Sequence, residues 1–294
     1  MDLVSVVITT YGRTDTLHRA IKSVLSQTYP NIEIIVVDDN KDEQIRKEVI
    51  KTVSSIDYSR VKLVLNAVNM GGALARNEGI RAAKGKYIAF LDDDDEYLPL
   101  KVEKQVEVFK KDETQKLALV YCYCVQKKDK NIIKKYHYDY VGNCIYPAML
   151  DCVAATSQWM CKKDALESVG MFTDTPCKQD SFLILKLLVN GYTIDRVPKY
   201  LSIYNTDSNF RISTGNHEKR IIGEEKLREL CRANYSLIEN NQRREVEYSF
   251  SCRIAEHYFA LGDKGAFYRE IKSILKHPFR INSLRAYLHI LKNL

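Results

Sequence analysis

The 294-residue sequence lacks the glycine signatures of the common nucleotide-binding loops. Its first apolar run leads into TTYGRTDTL, which has no G-x-G-x-x-G, and no G-x-x-x-x-G-K-[ST] occurs anywhere. Dinucleotide cofactors and Walker-type ATP binding are therefore disfavoured. No stretch approaches the roughly 20 apolar residues that cross a bilayer. The start, MDLVSVVITTYGR, has a short apolar run behind an acidic Asp2 and no small-residue cleavage site, unlike a signal peptide. A cytoplasmic protein is expected, one that can still sit at the inner face of the cell membrane. There is no solenoid repeat and no low-complexity tract. The eight cysteines include one C-x-C, at Cys122 and Cys124, but no zinc spacing, so they are expected to be reduced, buried side chains.

With 45% hydrophobic and 28% charged residues, the composition is that of a globular protein with one large domain and an appendage, or two small domains. The net charge is +7, and much of the excess lies late: seven Lys or Arg against two acids from Gly262 to Leu294. That asymmetry points the C-terminal end towards an anionic partner.

The first hundred residues alternate between two patterns. Apolar, β-branched runs at Leu3–Thr9, Ile32–Val37, Val61–Leu65 and Tyr87–Leu91 read as strands buried on both faces. Between them lie helical segments near Leu17–Leu25, Asp42–Val53 and Ala73–Lys84, the first expected to be capped by Thr14 or Asp15. The pattern β-α-β-α-β-α-β predicts a parallel sheet with right-handed crossovers. Such sheets bind ligands at the carboxyl ends of their strands. Three of the four strands end there in polar clusters: Thr9-Thr10-Tyr11, Asp38-Asp39-Asn40 and Asp92 to Glu96. Further on, a helix runs from after Pro99 to about Lys111, and Leu117–Val125 with Ile132–Tyr140 suggests a hairpin. Ser157–Cys161, Tyr192–Val197 and Tyr200–Asn205 read as strands, and Asp180–Asn190 as an amphipathic helix. From about Glu218 the pattern is helical, which places a boundary near Thr214.

Adjacent carboxylates at a buried strand end repel one another. A hard divalent cation with oxygen ligands offsets that cost and shares its shell with substrate phosphates. Strand alternation would carry Asp92 and Asp94 to one side and Asp93 to the other. An acid after the second strand, Asp38 or Asp39, can accept hydrogen bonds from a ribose or a base.

Taken together, VSVVITTYGR, IIVVDDN, NMGGALARNEGI and KYIAFLDDDD resemble an inverting family 2 glycosyltransferase of the GT-A type, in order and in spacing. The match is firm over the first hundred residues and looser to about Thr214. It implies an α/β, Rossmann-like, mostly parallel sheet flanked by helices, with a C-terminal helical extension. The corresponding divisions are 1–98 for the nucleotide, 99–214 for the acceptor and 215–294 for the helical region. By resemblance, Thr9, Tyr11 and Arg13 lie around the nucleotide and Asp39 binds its base, most often uracil. Asn69, Gly72 and Arg76 line the nucleotide and diphosphate side, and Asp93 sits near the ribose. Asp92 and Asp94 match the D-x-D metal ligands for Mn²⁺ or Mg²⁺, with Asp94 the direct one.

The segment VGMFTDTPCKQDSFLILKLLVNGY resembles the stretch of the family that carries the general base, and Asp180 matches it. Gln179 stands where the family usually has Glu, and Thr173 where it has Asp, which bears on acceptor recognition. YNTDSNFRIST resembles a late diphosphate loop, with Asp207 at about the position of a His in many relatives and Arg211, Ser213 and Thr214 near the diphosphate. Trp159 either stacks on a sugar or belongs to the core. HPFRINSLRAYLHILKNL is a basic amphipathic pattern that suits either an anionic membrane surface or packing against protein.

The resemblance implies transfer of a hexose or N-acetylhexosamine from a UDP-sugar to a hydroxyl of a glycan or polyprenyl-diphosphate-linked acceptor, in capsule or O-antigen synthesis. Self-association is left open. A sugar-1-phosphate nucleotidyltransferase and a non-catalytic nucleotide-sugar-binding scaffold are the alternatives. A nucleic-acid partner is disfavoured, because the basic excess is terminal and no recognition motif appears.

Overall fold

Four apolar segments of the first hundred residues become the parallel heart of one sheet. The computed structural model describes residues 1–56, 60–206 and 216–275. In chain order its elements are β1 (Val4–Thr10), α1 (Leu17–Leu25), β2 (Ile32–Asp38), α2 (Glu43–Ser54), β3 (Val61–Leu65), α3 (Gly72–Ala82), β4 (Tyr87–Asp92), β5 (Glu96–Tyr97), α4 (Lys101–Lys110), β6 (Leu117–Lys128) and β7 (Asn131–Tyr136). They continue with α5 (Ile145–Leu150), β8 (Trp159–Lys162), α6 (Lys163–Ser168), α7 (Gln179–Val189), β9 (Thr193–Asn205), α8 (His217–Ala233), α9 (Asn240–Ala260) and α10 (Lys264–Leu275). The strand order is β3-β2-β1-β4-β8-β6-β9-β5, with β7 paired to β6. β3, β2, β1 and β4 are mutually parallel. β8 runs against both β4 and β6, and β6 runs parallel with β9. This is the expected α/β architecture, a mostly parallel mixed sheet between helices.

The described chain forms two compact units. One comprises Met1–Cys144, Val153–Asp174 and Leu183–Arg211; the other comprises Ile145–Cys152, Thr175–Phe182 and Ile212–Leu294. The second unit takes in two short segments from earlier in the chain. Its centre is the packing of Ala255, Phe267 and Ile274 on α9 and α10.

Local details follow from the side chains. Asp42 caps α2 by accepting from the Gln44 and Ile45 amides at 2.8 and 3.1 Å, an arrangement worth about 1 kcal/mol. Neither Thr14 nor Asp15 caps α1: Thr16 stands at the cap without a side-chain bond, while Thr14 donates to Glu48. The break expected between two late strands is instead a bulge within β9. Its register with β6 jumps from Val197↔Cys122 to Tyr200↔Tyr123, because Pro198 has no N–H to give to the ladder. Trp159 is fully buried, stacks on Phe172 at 6.3 Å and donates to the Ala154 carbonyl at 3.0 Å. The sugar-stacking alternative for Trp159 is thereby corrected: no face of the ring is open.

α3 lies close on β1 because residue 79 has no side chain. A Cβ there would stand 2.3 Å from Val7 Cγ1. Gly79→Ala is therefore expected to destabilise the protein by about 1–3 kcal/mol through overpacking, against the gain of up to about 1 kcal/mol that alanine normally brings to a helix. Urea midpoints check this, with Val7→Ala in the same chain relieving the loss. A Gly79→Ala chain as stable as wild type contradicts it.

Beneath the sheet's carboxyl edge, Lys101 is fully buried. Its Nζ lies 3.9 Å from the Tyr97 ring centroid and donates to Gln105 Oε1 at 2.9 Å. Burial pulls its pKa down from 10.5 to about 8. Between those values the unfolded chain holds the proton and the folded chain does not, so the contribution of Lys101 to stability rises with pH across that window. The rise is at most about 3 kcal/mol. Unfolding at about pH 7.5 and about pH 10 should show wild type gaining on Lys101→Met by up to that amount; a constant difference contradicts it.

Candidate active site

In the first unit, the carboxyl ends of β1, β2 and β4 bring three clusters together. The strands are in register as neighbours, Thr9 facing Val37 on one side and Asp92 on the other. After β1 the chain turns at Gly12, whose φ of 72° a side chain would strain. The Gly12 amide donates to Asn40 Oδ1 at 2.6 Å, and the Asp39 amide donates to the Thr10 carbonyl at 3.1 Å. Asp38 is turned to structural use: its Oδ1 accepts from the Asn40 amide and side chain, and its Oδ2 faces Arg46 at 3.4 Å.

Asp39 organises the loop that leads into α3. Its carboxylate accepts from Asn66 Nδ2 (2.8 Å), Asn69 Nδ2 (3.0 Å) and the amides of Met70 and Gly71 (2.9 and 2.8 Å). Two bonds to each oxygen hold the N-terminus of α3, which begins at Gly72, against the end of β2. Asn69 thus bonds Asp39 directly, and Gly72 follows the bonded Gly71 amide.

The acidic run departs from the alternation expected of it. β4 ends at Asp92, and the Asp95 amide closes a turn onto the Asp92 carbonyl at 3.0 Å. Asp93 and Asp94 therefore both face Arg13: Nη2 stands 2.5 Å from Asp93, and Nη1 contacts Asp94. Asp92 pairs instead with Arg76 at 2.6 Å, and Arg76 also lies over the Phe172 ring. Strand geometry failed as a guide because the strand stops one residue into the run.

Three residues that sequence reasoning missed complete the cluster. Arg19, from α1, bonds the Asp94 carbonyl and faces Glu96. Asn205, at the end of β9, donates to the Asp94 carbonyl and to Glu96, both at 3.0 Å, and its amide reaches Asp95. Ser157 accepts from the Asp92 amide at 3.2 Å. None carries a local signal, since each acts over a sequence separation of at least 65 residues. Arg19, one helical turn after the expected cap, and Asn205, inside YNTDSNFRIST, lay close to noticed motifs without being singled out.

The electrostatics are those of concentrated, poorly hydrated charge. Burial pushes Asp93 up to about 7, although the Arg13 guanidinium pulls it back. Burial and the neighbouring Asp92 raise Asp94, and burial raises Asp95 well above the ordinary range. Four of the acids from Asp92 to Glu96 pair with three arginines, Arg13, Arg19 and Arg76, while burial favours the neutral form of the fifth, Asp95. The paired carboxylates outnumber the guanidiniums. Among the described residues no set of three or more His, Cys, Asp or Glu converges as a complete metal site. Two hard carboxylates, Asp92 and Asp94, in a cluster with more acids than arginines fit a divalent cation that draws its remaining ligands from phosphate and water.

In the second unit, Asp180 lies in the first turn of α7. Its Oδ1 accepts from the Ser181 amide at 2.8 Å, and its Oδ2 accepts from the Cys152 thiol at 3.2 Å. Gln179 donates to the Thr175 carbonyl at 3.1 Å. Asp207, Arg211, Ser213 and Thr214 lie outside the described residues, as does the C-terminal segment 278–294.

A mostly parallel sheet with an acidic cluster and a looped helix N-terminus at its carboxyl edge is the architecture of the GT-A type. Residues 5–169 match glycosyl transferase family 2, and the chain belongs to that family. It is a glycosyltransferase of the hexosyltransferase class. The chain is 29% identical over 287 residues to the Escherichia coli UDP-Glc:alpha-D-GlcNAc-diphosphoundecaprenol beta-1,3-glucosyltransferase WfaP, covering 97% of this chain and 99% of that one. Among solved structures it resembles residues 1–349 of S. aureus TarS in complex with UDP-GlcNAc, with a TM-score of 0.61, 14% identity and coverage of 95% and 93%. It also resembles the mannosyltransferase PcManGT from Pyrobaculum calidifontis in complex with GDP-Man and Mn²⁺, with a TM-score of 0.59, 18% identity and coverage of 100% and 81%. At these identities the two structures speak for the fold. No helix among the described residues is long and apolar enough to cross a membrane.

Proposed function

We propose that the protein transfers glucose or a related hexose from a UDP-sugar to a hydroxyl of a lipid-diphosphate-linked glycan, with inversion at the anomeric carbon. The observation that carries this reading is the acidic turn Asp92–Glu96, set at the carboxyl edge of the sheet with more acids than arginines to pair them. The near full-length similarity to a UDP-Glc-dependent enzyme acting on a diphosphoundecaprenol acceptor supports the donor and acceptor classes.

In this reading Asp94 and Asp92 hold Mn²⁺ or Mg²⁺, which when bound offsets the charge developing on the departing diphosphate. Arg13 and Arg76 already stand on these carboxylates. Donor binding can draw either guanidinium towards the phosphates, where it would stabilise the same charge. Asp39 keeps the turn Asn69–Gly72 in place, so that the α3 N-terminus offers amides to the nucleotide; any bond from its carboxylate to uracil must be shared with that turn. Thr9, Tyr11 and Asp93 complete the nucleotide side. Asp180 takes the proton from the attacking acceptor hydroxyl. The Cys152 thiol, which burial and Asp180 keep protonated, holds one of its oxygens in place.

The test is a screen of UDP-sugars with a synthetic α-GlcNAc-diphosphate-lipid acceptor, read as UDP release. UDP-glucose should give acceptor-dependent release. Release of pyrophosphate from a nucleoside triphosphate and a sugar phosphate would indicate a nucleotidyltransferase instead.

A further inference from the structure

The β6–β7 hairpin has a composition that the transfer reaction does not use. Its two-residue turn, Asp129-Lys130, has consecutive positive φ values of 49° and 68°, as a tight hairpin with the twist of its strands requires. Lys128 pairs with Asn131 to close it. Every residue from Lys128 to Lys135 is exposed, so both faces of β7 are in water. Ile132 and Ile133 are 53% and 54% exposed, and Tyr140 and Val141 just beyond the strand are 40% and 46% exposed. Around the isoleucines stand Lys127, Lys128, Lys130, Lys134 and Lys135, against the single acid Asp129.

Lysines on an edge strand ordinarily keep it from pairing with other chains. That purpose does not explain two neighbouring isoleucines left exposed at the tip, which a protective edge would replace with polar residues. Apolar side chains ringed by lysine, with tyrosine close by, are instead the chemistry of a surface that enters the headgroup region of an anionic bilayer.

The topology puts this hairpin beside the donor site. β4 and β6 each run against β8, so the carboxyl end of β6 points the same way as that of β4. The Lys127 carbonyl, at the hairpin's base, accepts from the Thr206 amide and hydroxyl at 2.9 Å each. Its neighbour Asn205 bonds the acidic turn directly. Two residues therefore link the acidic cluster to the hairpin.

We propose that the β6–β7 hairpin docks the protein on anionic lipid, with Ile132 and Ile133 inserted and the lysines on the headgroups, and that docking turns the donor-site edge of the sheet towards the bilayer. Each lysine near such a surface strengthens binding about fivefold.

The test is sedimentation of the full chain with vesicles of phosphatidylglycerol and phosphatidylethanolamine, and with phosphatidylcholine alone. Wild type should bind the anionic vesicles at least about tenfold more tightly than the neutral ones. Ile132→Ser with Ile133→Ser, and separately Lys134→Glu with Lys135→Glu, should each lower that binding about tenfold or more. These side chains are exposed, so thermal midpoints and UDP affinity should be unchanged. Wild-type binding by either double variant overturns the proposal, and so does failure of wild type to bind anionic vesicles. If wild type ignores vesicles but binds soluble polyphosphate, and the lysine variant loses that, the hairpin serves an anionic polymer and the lipid proposal fails.

Discussion

Asp180→Asn is expected to lower kcat by about a hundredfold to ten-thousandfold, the usual contribution of a positioned general base, while UDP affinity stays within about twofold. The substitution is nearly isosteric. The single oxygen of asparagine can still accept from the Ser181 amide, and its Nδ2 can donate to the Cys152 sulfur in place of the bond that the thiol gave to the second carboxylate oxygen, so the start of α7 should keep its shape. What is lost is the capacity to take a proton from the acceptor hydroxyl. UDP release with acceptor, beside calorimetric titration of UDP, separates chemistry from binding. If the variant transfers at the wild-type rate, Asp180 is not the base; if UDP binding falls with activity, its role lies in assembling the site.

Asp94→Ala should have a comparably large effect on a different quantity. With Mn²⁺ present, UDP affinity should fall by about a hundredfold or more, equivalent to at least about 2.8 kcal/mol. With EDTA the wild type and the variant should bind alike and weakly. The turn retains the Asp95 amide bond to the Asp92 carbonyl, and Arg13 retains Asp93, so the fold should survive. Burial makes Asp94 reluctant to carry its charge without a cation, and removing it takes away one of two hard donors. Metal-dependent UDP binding that persists in Asp94→Ala would place the cation elsewhere.

The parallel core was legible because strands buried on both faces must be apolar throughout. Val4–Thr10, Ile32–Asp38 and Tyr87–Asp92 formed within a residue or two of their expected limits. The edge of the sheet that carries the candidate site was legible because Asp38, Asp39 and the run Asp92–Glu96 cluster at the carboxyl ends of its strands. The direction of each side chain there was not. Asp93 and Asp94 share Arg13 because the chain turns at Asp92, and a turn stabilised by Asn205, over a hundred residues away, has no local signature. Arg13 and Arg76 read as nucleotide ligands, and in the structure they pair with Asp93, Asp94 and Asp92. Trp159 was ambiguous because an isolated aromatic has no period, and its burial depends on Phe172 and the Ala154 carbonyl. The second unit was only partly legible, since Ile145–Cys152 and Thr175–Phe182 join it through packing on helices more than forty residues further along the chain, as Cys177 does against Gly223.

The central claim is inverting transfer from a UDP-sugar to a lipid-diphosphate-linked acceptor. Its most direct test is to incubate the protein with Mn²⁺, UDP-glucose and the α-GlcNAc-diphosphate-lipid and to read the new linkage by proton NMR. The account predicts one glucose added per acceptor, with the large anomeric coupling of a β linkage formed from the α donor. An α-linked product, or UDP-glucose that binds and is never transferred to this or another lipid-diphosphate glycan, would contradict it.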